Sequence, residues 1–150
     1  MKYISKSLED TQKIAEEFIS SISADPETAI VVGLYGDLGA GKTSFTQSIA
    51  KIFGVEDKVT SPTFVIEKIY ELPKINELQK FTHMIHIDAY RLEKSEELLH
   101  LGWQEIISDK NNIIFIEWPE RVENIMPEHI KIHLKPLEVE NSREIEIDYK

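Results

Sequence analysis

The sequence predicts an α/β fold, a single-domain mixed sheet that is flanked by helices and carries antiparallel hairpins. Segments with the apolar spacing of helices alternate with short apolar runs that have the length of strands. Two of these runs, residues 29–35 and 111–119, are continuously apolar over most of their length, as is typical of central strands buried on both faces. Near the end of the chain the apolar residues recur with period two, which indicates half-buried strands.

Length and composition limit the classes of protein. A chain of 150 residues with 41% hydrophobic residues can bury one core, so we expect one domain over residues 1–150. The 27 acidic and 17 basic residues give a net charge of −10, which argues against a broad basic surface for nucleic acid. The absence of cysteine excludes disulfides and thiolate metal sites. Without a signal-peptide pattern or a long apolar run, we expect a soluble, cytoplasmic protein.

The first part of the chain predicts a helix, a strand and a second helix. Residues 7–22 open with a capping-box-like Ser-x-x-Asp and continue with helical spacing. Their expected buried face consists of Leu8, Ile14, Ala15, Phe18, Ile19 and Ile22. Residues 29–35 form the central strand, and residues 42–53 the second helix. The expected inward side chains of that helix are Phe45, Ile49, Ile52 and Phe53.

The second part predicts mainly strands. Residues 62–72 and 81–88 have strand composition and are joined by a polar stretch, which suggests an antiparallel hairpin. Residues 94–109 have helical spacing. The remaining predicted strands are residues 111–119, stopped by Pro119, and the period-two segments 128–134 and 143–149.

The junction between the central strand and the second helix carries a phosphate-binding motif. Gly36, Gly41, Lys42 and Thr43 fit G-x-x-x-x-G-K-[ST], after a predicted strand and before a predicted helix, where this motif belongs. Lys42 is expected to reach the β- and γ-phosphates of a nucleotide, and Thr43 to place its hydroxyl on Mg²⁺. An ordinary glycine-rich turn is the less favoured reading. The expected nucleotide contacts are Gly36, Asp37, Leu38, Gly39, Ala40, Gly41, Lys42, Thr43 and Ser44.

Two apolar strands end in carboxylates, Asp88 and Glu117. Either could hold Mg²⁺ or orient a water beside a phosphate loop, and spacing does not decide between them. The alternative for each is an acid at a strand end in solvent. Residues 59–64, Val-Thr-Ser-Pro-Thr-Phe, are either a nucleotide-sensing switch or a turn that begins a strand.

Other polar and aromatic side chains give weaker signals. Two arginines are candidates for contacts to phosphate or to an acidic partner: Arg91 and Arg121. Three aromatic residues are expected in the core or at an interface rather than against a base: Tyr90, Trp103 and Trp118. His83 and His86 lie three residues apart on a strand and do not form a convincing metal pair without further ligands.

The ordered motifs GDLGAGKTSFTQ, TSPTF, HIDAYRL, LGWQE and IEWPER closely resemble the TsaE (YjeE-like) family, small ATPases of bacterial tRNA threonylcarbamoyladenosine synthesis. The resemblance covers about residues 7–121 and extends weakly to Arg143. It implies a P-loop NTPase-like fold, with ATP and Mg²⁺ in the loop and metal coordination by Thr43 and Glu117. It also implies that Asp88 belongs to the nucleotide site and that Thr11 lies near the base.

The resemblance further implies a complex with the TsaB and TsaD proteins. In that complex, ATP hydrolysis resets the machine that transfers threonylcarbamoyl onto adenosine 37 of tRNAs reading ANN codons, and residues 60–64 are the switch. Lys42, Asp88 and Glu117 are the expected catalytic residues, and tRNA is contacted only through the complex. The family often has a glycine before its late arginine, whereas this chain has Asn-Ser-Arg, so no ATP role is assigned to Arg143.

Three functions from different classes remain open. The first is an ATPase subunit of a tRNA-modifying complex, slow by itself because no arginine finger is evident. The second is a small-molecule kinase, with Asp88 as the base and Arg91 as a substrate clamp, although no arginine-rich lid is apparent. The third is a nucleotide-gated binding module with negligible turnover. A GTPase is disfavoured, because the chain has no N-K-x-D motif.

Overall fold

The structure, a computed structural model, describes residues 1–22, 27–37, 39–55, 67–73 and 80–149. The strands in these ranges are β1 (Lys2–Ser5), β2 (Ile30–Tyr35), β3 (Glu67–Glu71), β4 (His83–Asp88), β5 (Asn112–Glu117), β6 (Ile130–Pro136) and β7 (Arg143–Asp148). The helices are α1 (Leu8–Ser21), α2 (Lys42–Ile52), α3 (Ser95–Leu99) and α4 (Trp103–Ser108), with a 3₁₀ helix over Pro119–Ile125.

Within the described ranges the strands form one mixed sheet in the order β1-β7-β6-β2-β5-β4-β3. Strand β2 lies between β5 and β6 and is parallel to both, and β4 is parallel to β5. The pairs β3–β4, β6–β7 and β1–β7 are antiparallel, so the predicted mixed α/β fold with antiparallel hairpins is confirmed. Because β2, β4 and β5 run in the same direction, their carboxyl ends meet at one edge of the sheet, where α/β proteins bind ligands.

Each face of the sheet is covered by helices, which accounts for the continuous apolar runs of its central strands. All six residues of β5 are buried. Helices α1 and α2 cover one face and contact each other through the rings of Phe18 and Phe45, 6.0 Å apart. Side chains of α3, α4 and the 3₁₀ helix cover the other face around Trp103, which is fully buried and donates from Nε1 to the Ile125 carbonyl at 3.1 Å. Trp103 was expected in the core or at an interface, and the structure places it in the core.

Three local features differ from the sequence-based expectations. Strand β1 was not predicted, since only four residues pair with β7 at the sheet edge and only one of them is buried. Leu8 was expected on the buried face of α1 but is 70% exposed, because it lies in the first turn, beyond the buried contacts that begin at Thr11. The helix predicted over residues 94–109 is two helices, since Gly102 adopts a left-handed conformation (φ 84°) between them.

The remaining predicted elements are present where they can be described. Residues 62–66 and most of the polar stretch between β3 and β4 lie outside the described residues, as does the predicted switch at residues 59–64. In the part of the chain that the structure describes, no helix has the length and apolar character needed to cross a membrane.

Candidate functional site

The phosphate-loop motif lies at the carboxyl end of β2, between that strand and α2. A cavity of about 400 Å³ opens there. It is lined by the loop, the first turn of α2, the ends of β4 and β5, and the start of β7. The predicted site residues in its lining are Gly39, Gly41, Lys42, Thr43, Ser44, Asp88 and Glu117.

Helix α2 supplies the positive end of a dipole to this cavity. The helix has 11 residues and begins at Lys42, so the N–H groups of its first turn point back toward the loop and lack intrahelical partners. Such a helix start is suited to bind a phosphate. The position of the loop is therefore the one that its sequence motif predicted.

Lys42 is buried at the base of the cavity, with 5% of its surface exposed. Its Nζ donates a hydrogen bond to the Gly36 carbonyl at 2.6 Å and lies 3.7 Å from the centroid of the Trp118 ring. Burial lowers the pKa of Lys42, while the charges of Glu117, Glu120, Asp88 and Asp37, in decreasing order, oppose that change. The ammonium therefore already has a carbonyl and an aromatic ring as partners.

Thr43 and Glu117 bring two oxygen donors together across the cavity. Thr43 Oγ1 donates to Glu117 Oε2 at 3.4 Å, and Glu117 is buried at the end of β5. A hydroxyl beside a carboxylate fits Mg²⁺, which prefers oxygen ligands and keeps several waters. The described residues contain no group of three or more His, Asp or Glu side chains that could hold a metal. An ion at this place would thus have few protein ligands, as Mg²⁺ commonly does with nucleotides.

His86 contacts the same carboxylate and was missed as a site residue. Its Nε2 lies 2.6 Å from Glu117 Oε2, and its side chain is fully buried. From the sequence, His86 was weighed only as a metal ligand together with His83. In the structure His83 instead contacts the Thr82 hydroxyl at 2.9 Å. A usable signal was available: His86 and Asp88 are two residues apart on one strand and therefore lie on the same face of the sheet.

Asp88 and Glu117 make different hydrogen bonds. The two residues are directly opposite each other in the register of β4 and β5. However, Glu117 contacts Thr43, whereas Asp88 Oδ1 accepts a hydrogen bond from the Tyr90 backbone N–H at 3.0 Å. Sequence spacing could not tell which of the two acids lies beside Thr43, and the structure shows that Glu117 does.

A row of aromatic and cationic side chains, formed by Trp118, Tyr90 and Arg121, leads from the buried lysine to the surface. Trp118, in the left-handed conformation (φ 60°), lies over Lys42, and its ring centroid is 5.0 Å from that of Tyr90. The Arg121 guanidinium carbon lies 5.2 Å from the Tyr90 ring, which is 41% exposed. Arg91, the other arginine considered from the sequence, is exposed in the turn that follows β4.

Arg143 reaches the phosphate loop, although no role there was predicted for it from the sequence. It begins β7, lines the cavity and packs so closely against Gly41 that a side chain at that position would collide with its guanidinium. Gly41 also has a left-handed conformation (φ 99°). The buried Nη1 of Arg143 has no hydrogen-bond partner among the described residues. The structure therefore adds a second cation to the cavity.

Several predicted nucleotide contacts lie outside the cavity lining. Thr11 is buried where α1 meets β1, and its hydroxyl is hydrogen-bonded to Ser5 Oγ at 2.7 Å, so its contact with a base stays a prediction. Ala40 is buried and donates its N–H to the Asp37 carbonyl at 3.1 Å, shaping the loop. Leu38 lies outside the described residues.

Comparisons with known proteins agree with the fold and the motifs. Residues 5–145 match the family of the threonylcarbamoyl adenosine biosynthesis protein TsaE. The chain is 36% identical over 134 residues to the tRNA threonylcarbamoyladenosine biosynthesis protein TsaE of Rickettsia prowazekii, covering 88% of this chain and 84% of that protein. It is 32% identical over 148 residues to the TsaE protein of Treponema pallidum, covering 98% and 99% of the two chains.

A solved structure is similar over nearly the whole chain. The crystal structure of Bacillus subtilis YdiB superposes with a TM-score of 0.71 at 28% identity, covering 97% of this chain and 82% of that one. The resemblance proposed from the sequence motifs is confirmed by the family match. The chain belongs to the TsaE family, which takes part in tRNA threonylcarbamoyladenosine biosynthesis.

Proposed function

We propose that this chain binds ATP with Mg²⁺ and hydrolyses it as the ATPase of N6-threonylcarbamoyladenosine synthesis, acting with TsaB and TsaD on adenosine 37 of tRNAs reading ANN codons. The observation that supports this most directly is the convergence of Lys42, Thr43 and Glu117 on one cavity at the start of α2. A cation, a hydroxyl and a carboxylate in this arrangement are the parts that P-loop enzymes use for phosphoryl transfer.

The chain's own groups would act mainly by positioning and by charge. The N–H groups at the start of α2 would bind phosphate oxygens, and Lys42 would exchange its contact with the Gly36 carbonyl for the β- and γ-phosphates. Thr43 and Glu117 would hold Mg²⁺. When bound, the ion would neutralise negative charge that develops on the phosphate oxygens.

Asp88 would orient the attacking water and accept its proton. The oxygen of that water would then attack the γ-phosphorus while the bond from the phosphorus to the ADP oxygen breaks. Asp88 is suited to this role because it lines the cavity next to Glu117 in the strand register, while Glu117 is the acid that contacts Thr43 and would hold the metal. Glu117 would remain a metal ligand throughout.

The charge of the chain and the exposed side chains at the site support a function that needs partner proteins. With a net charge of −10 the chain would be repelled by tRNA, so another protein would have to hold the tRNA. The family resemblance suggests TsaB and TsaD for that role. The Tyr90 and Arg121 side chains form the outer end of a row of side chains that reaches Lys42 through Trp118. A partner that contacts this row would be placed to respond to the nucleotide, and it would accelerate hydrolysis.

The test is phosphate release from ATP by the purified chain, alone and with its cognate TsaB and TsaD. We expect slow release alone, strong stimulation by the partners, and loss of activity in Lys42→Ala. Lys51→Ala is the matched control, because Lys51 is an exposed lysine in the last turn of the same helix. Thr63→Ala in the same mixture tests residues 60–64 as the switch, where we expect stimulation to be lost.

Other outcomes would reject parts of the proposal. Equal hydrolysis by Lys42→Ala and wild type would reject the phosphate-loop assignment. Rapid hydrolysis by the chain alone, unchanged by partners, would reject the coupling. A phosphorylated metabolite in place of free phosphate would identify a kinase, and nucleotide-dependent partner binding without turnover would identify a binding module.

A further inference from the structure

Glu117 is contacted by a buried histidine, His86, which has no part in the function proposed so far. In the sheet, His86 pairs with Phe115, two residues before Glu117 on the neighbouring strand. Side chains two residues apart on a strand share a face. The imidazole and the carboxylate are therefore diagonal neighbours on adjacent strands, on the face of the sheet covered by α2. Their 2.6 Å contact joins Nε2 to Oε2.

The chemistry of the pair fixes the direction of this hydrogen bond when Glu117 is ionised. A carboxylate can only accept, so Nε2 must carry the hydrogen and donate it. Among the described residues, both hydrogen bonds to the Glu117 carboxylate end on Oε2, the strong one from His86 at 2.6 Å and the weaker one from Thr43 at 3.4 Å. The orientation of the carboxylate is therefore set mainly by the histidine.

Packing alone does not account for a histidine at this position. His86 is fully buried, and its Nδ1 has no hydrogen-bond partner among the described residues. Burial of an unpartnered polar nitrogen is unfavourable, and an apolar residue such as the neighbouring Met84 would fill the space without that cost. The favourable interaction of the imidazole is the one with Glu117.

We infer that His86 is a positioning residue, which holds Glu117 by Oε2 so that the carboxylate stays beside Thr43 in readiness for Mg²⁺. This inference rests on the proposed function, in which Thr43 and Glu117 bind the ion. Without the histidine, the hydrogen bond that Glu117 keeps within the described part of the chain is the long one from Thr43, and the carboxylate can rotate about its side-chain bonds. Residues that orient metal ligands in this way typically change metal affinity by about 10- to 100-fold when replaced.

The experiment measures affinity for a slowly hydrolysed ATP analogue by calorimetry, once with Mg²⁺ and once with EDTA. His86→Leu removes the donor and keeps an apolar side chain in the core, and we expect it to reduce the gain in affinity from Mg²⁺ by about tenfold or more. Affinity in EDTA should stay within about twofold of wild type, since His86 contacts the carboxylate and not the nucleotide. His86→Gln, whose amide can still donate near the position of Nε2, should recover most of the gain.

Two controls separate positioning from a structural effect. His83→Gln changes the other histidine of β4, three residues away on the opposite face, and should behave as wild type. In a Glu117→Ala background, His86→Leu should have no further effect on the Mg²⁺ gain, because the residue through which it acts is gone. If the His86→Leu variant shows no cooperative unfolding transition and is therefore not properly folded, His86→Asn takes its place. The amide of asparagine is too short to reach Oε2 of Glu117.

The outcomes distinguish this inference from the proposed function. An unchanged Mg²⁺ gain in His86→Leu, an equal loss of affinity in EDTA, or no recovery in His86→Gln would each overturn the positioning role while leaving the proposed nucleotide site intact. Wild-type protein whose affinity is the same with Mg²⁺ and EDTA would overturn the proposed metal site, and this inference with it.

Discussion

Two glycines of the phosphate loop provide a matched pair for a quantitative prediction. Gly36 and Gly39 both have positive φ, +151° and +81°, so alanine is conformationally disfavoured at each. Their surroundings differ. A Cβ at Gly36 would lie 2.5 Å from the Leu134 carbonyl oxygen and 3.1 Å from Ala40 Cβ, whereas a Cβ at Gly39 would have nothing within 4 Å.

Gly39→Ala should therefore cost only the backbone strain, about 1–2 kcal/mol. Gly36→Ala carries a comparable strain and adds an overpacking cost of about 1–3 kcal/mol. The obstacle cannot easily move, because Leu134 belongs to β6, which is hydrogen-bonded to β2 on one side and β7 on the other. The entropy that each substitution removes from the unfolded chain is similar and cancels in the comparison.

The assay is thermal or urea unfolding of the two variants beside wild type. For a chain of this size, about 2–4 °C of melting temperature corresponds to 1 kcal/mol, so Gly36→Ala should melt about 2–12 °C below Gly39→Ala. Equal midpoints would refute the reasoning, since they would mean that the Leu134 carbonyl does not lie against the loop as a fixed obstacle.

Three further predictions concern side chains of the cavity. Glu117→Ala should weaken nucleotide binding in Mg²⁺ but not in EDTA, and an equal loss in both by calorimetry would give Glu117 another role. Arg143→Met should lower affinity about tenfold in both conditions, as expected for the loss of one charged hydrogen bond; unchanged titrations would place Arg143 outside nucleotide binding. Burial lowers the pKa of Lys42 in the folded state, so the unfolded state binds more protons as pH approaches the unfolded pKa. Urea unfolding should therefore show wild type gaining stability relative to Lys42→Met from pH 7 toward 10, and a parallel pH dependence would contradict this.

The parts of the fold that local pattern dictates were predictable from the sequence. Strands β2 and β5 are buried on both faces, so their residues form continuous apolar runs. The phosphate loop has its own signature, because close approach of the backbone requires glycine and the chemistry requires Lys42 and Thr43. The ends of β4 and β5 followed as candidates, since an acid directly after an apolar strand is visible in the sequence.

Features that depend on distant pairing were not predictable in the same way. Arg143 lies about a hundred positions after Gly41, and the two meet only because β7 pairs with β6, the neighbour of β2. The hydrogen bond from His86 to Glu117 likewise depends on the register of β4 against β5. Strand β1 is an edge strand of four residues, too short to show a period, and it is held by pairing with β7.

The contacts inside the cavity bear on why a partner would be needed. Lys42 is bound to the Gly36 carbonyl and covered by Trp118, and Thr43 donates to Glu117. A nucleotide bound as proposed would have to replace these internal contacts with its own phosphates and metal, and its binding would gain only the difference in free energy between the two sets of contacts. Because Trp118 also packs on the exposed Tyr90, a protein that draws this pair away from Lys42 would remove part of that cost before the nucleotide binds. We therefore expect partner binding and nucleotide binding to strengthen each other by the same factor, which thermodynamic linkage requires. Measuring each affinity in the presence of the other ligand tests this, and independent affinities would exclude Trp118 as the connection.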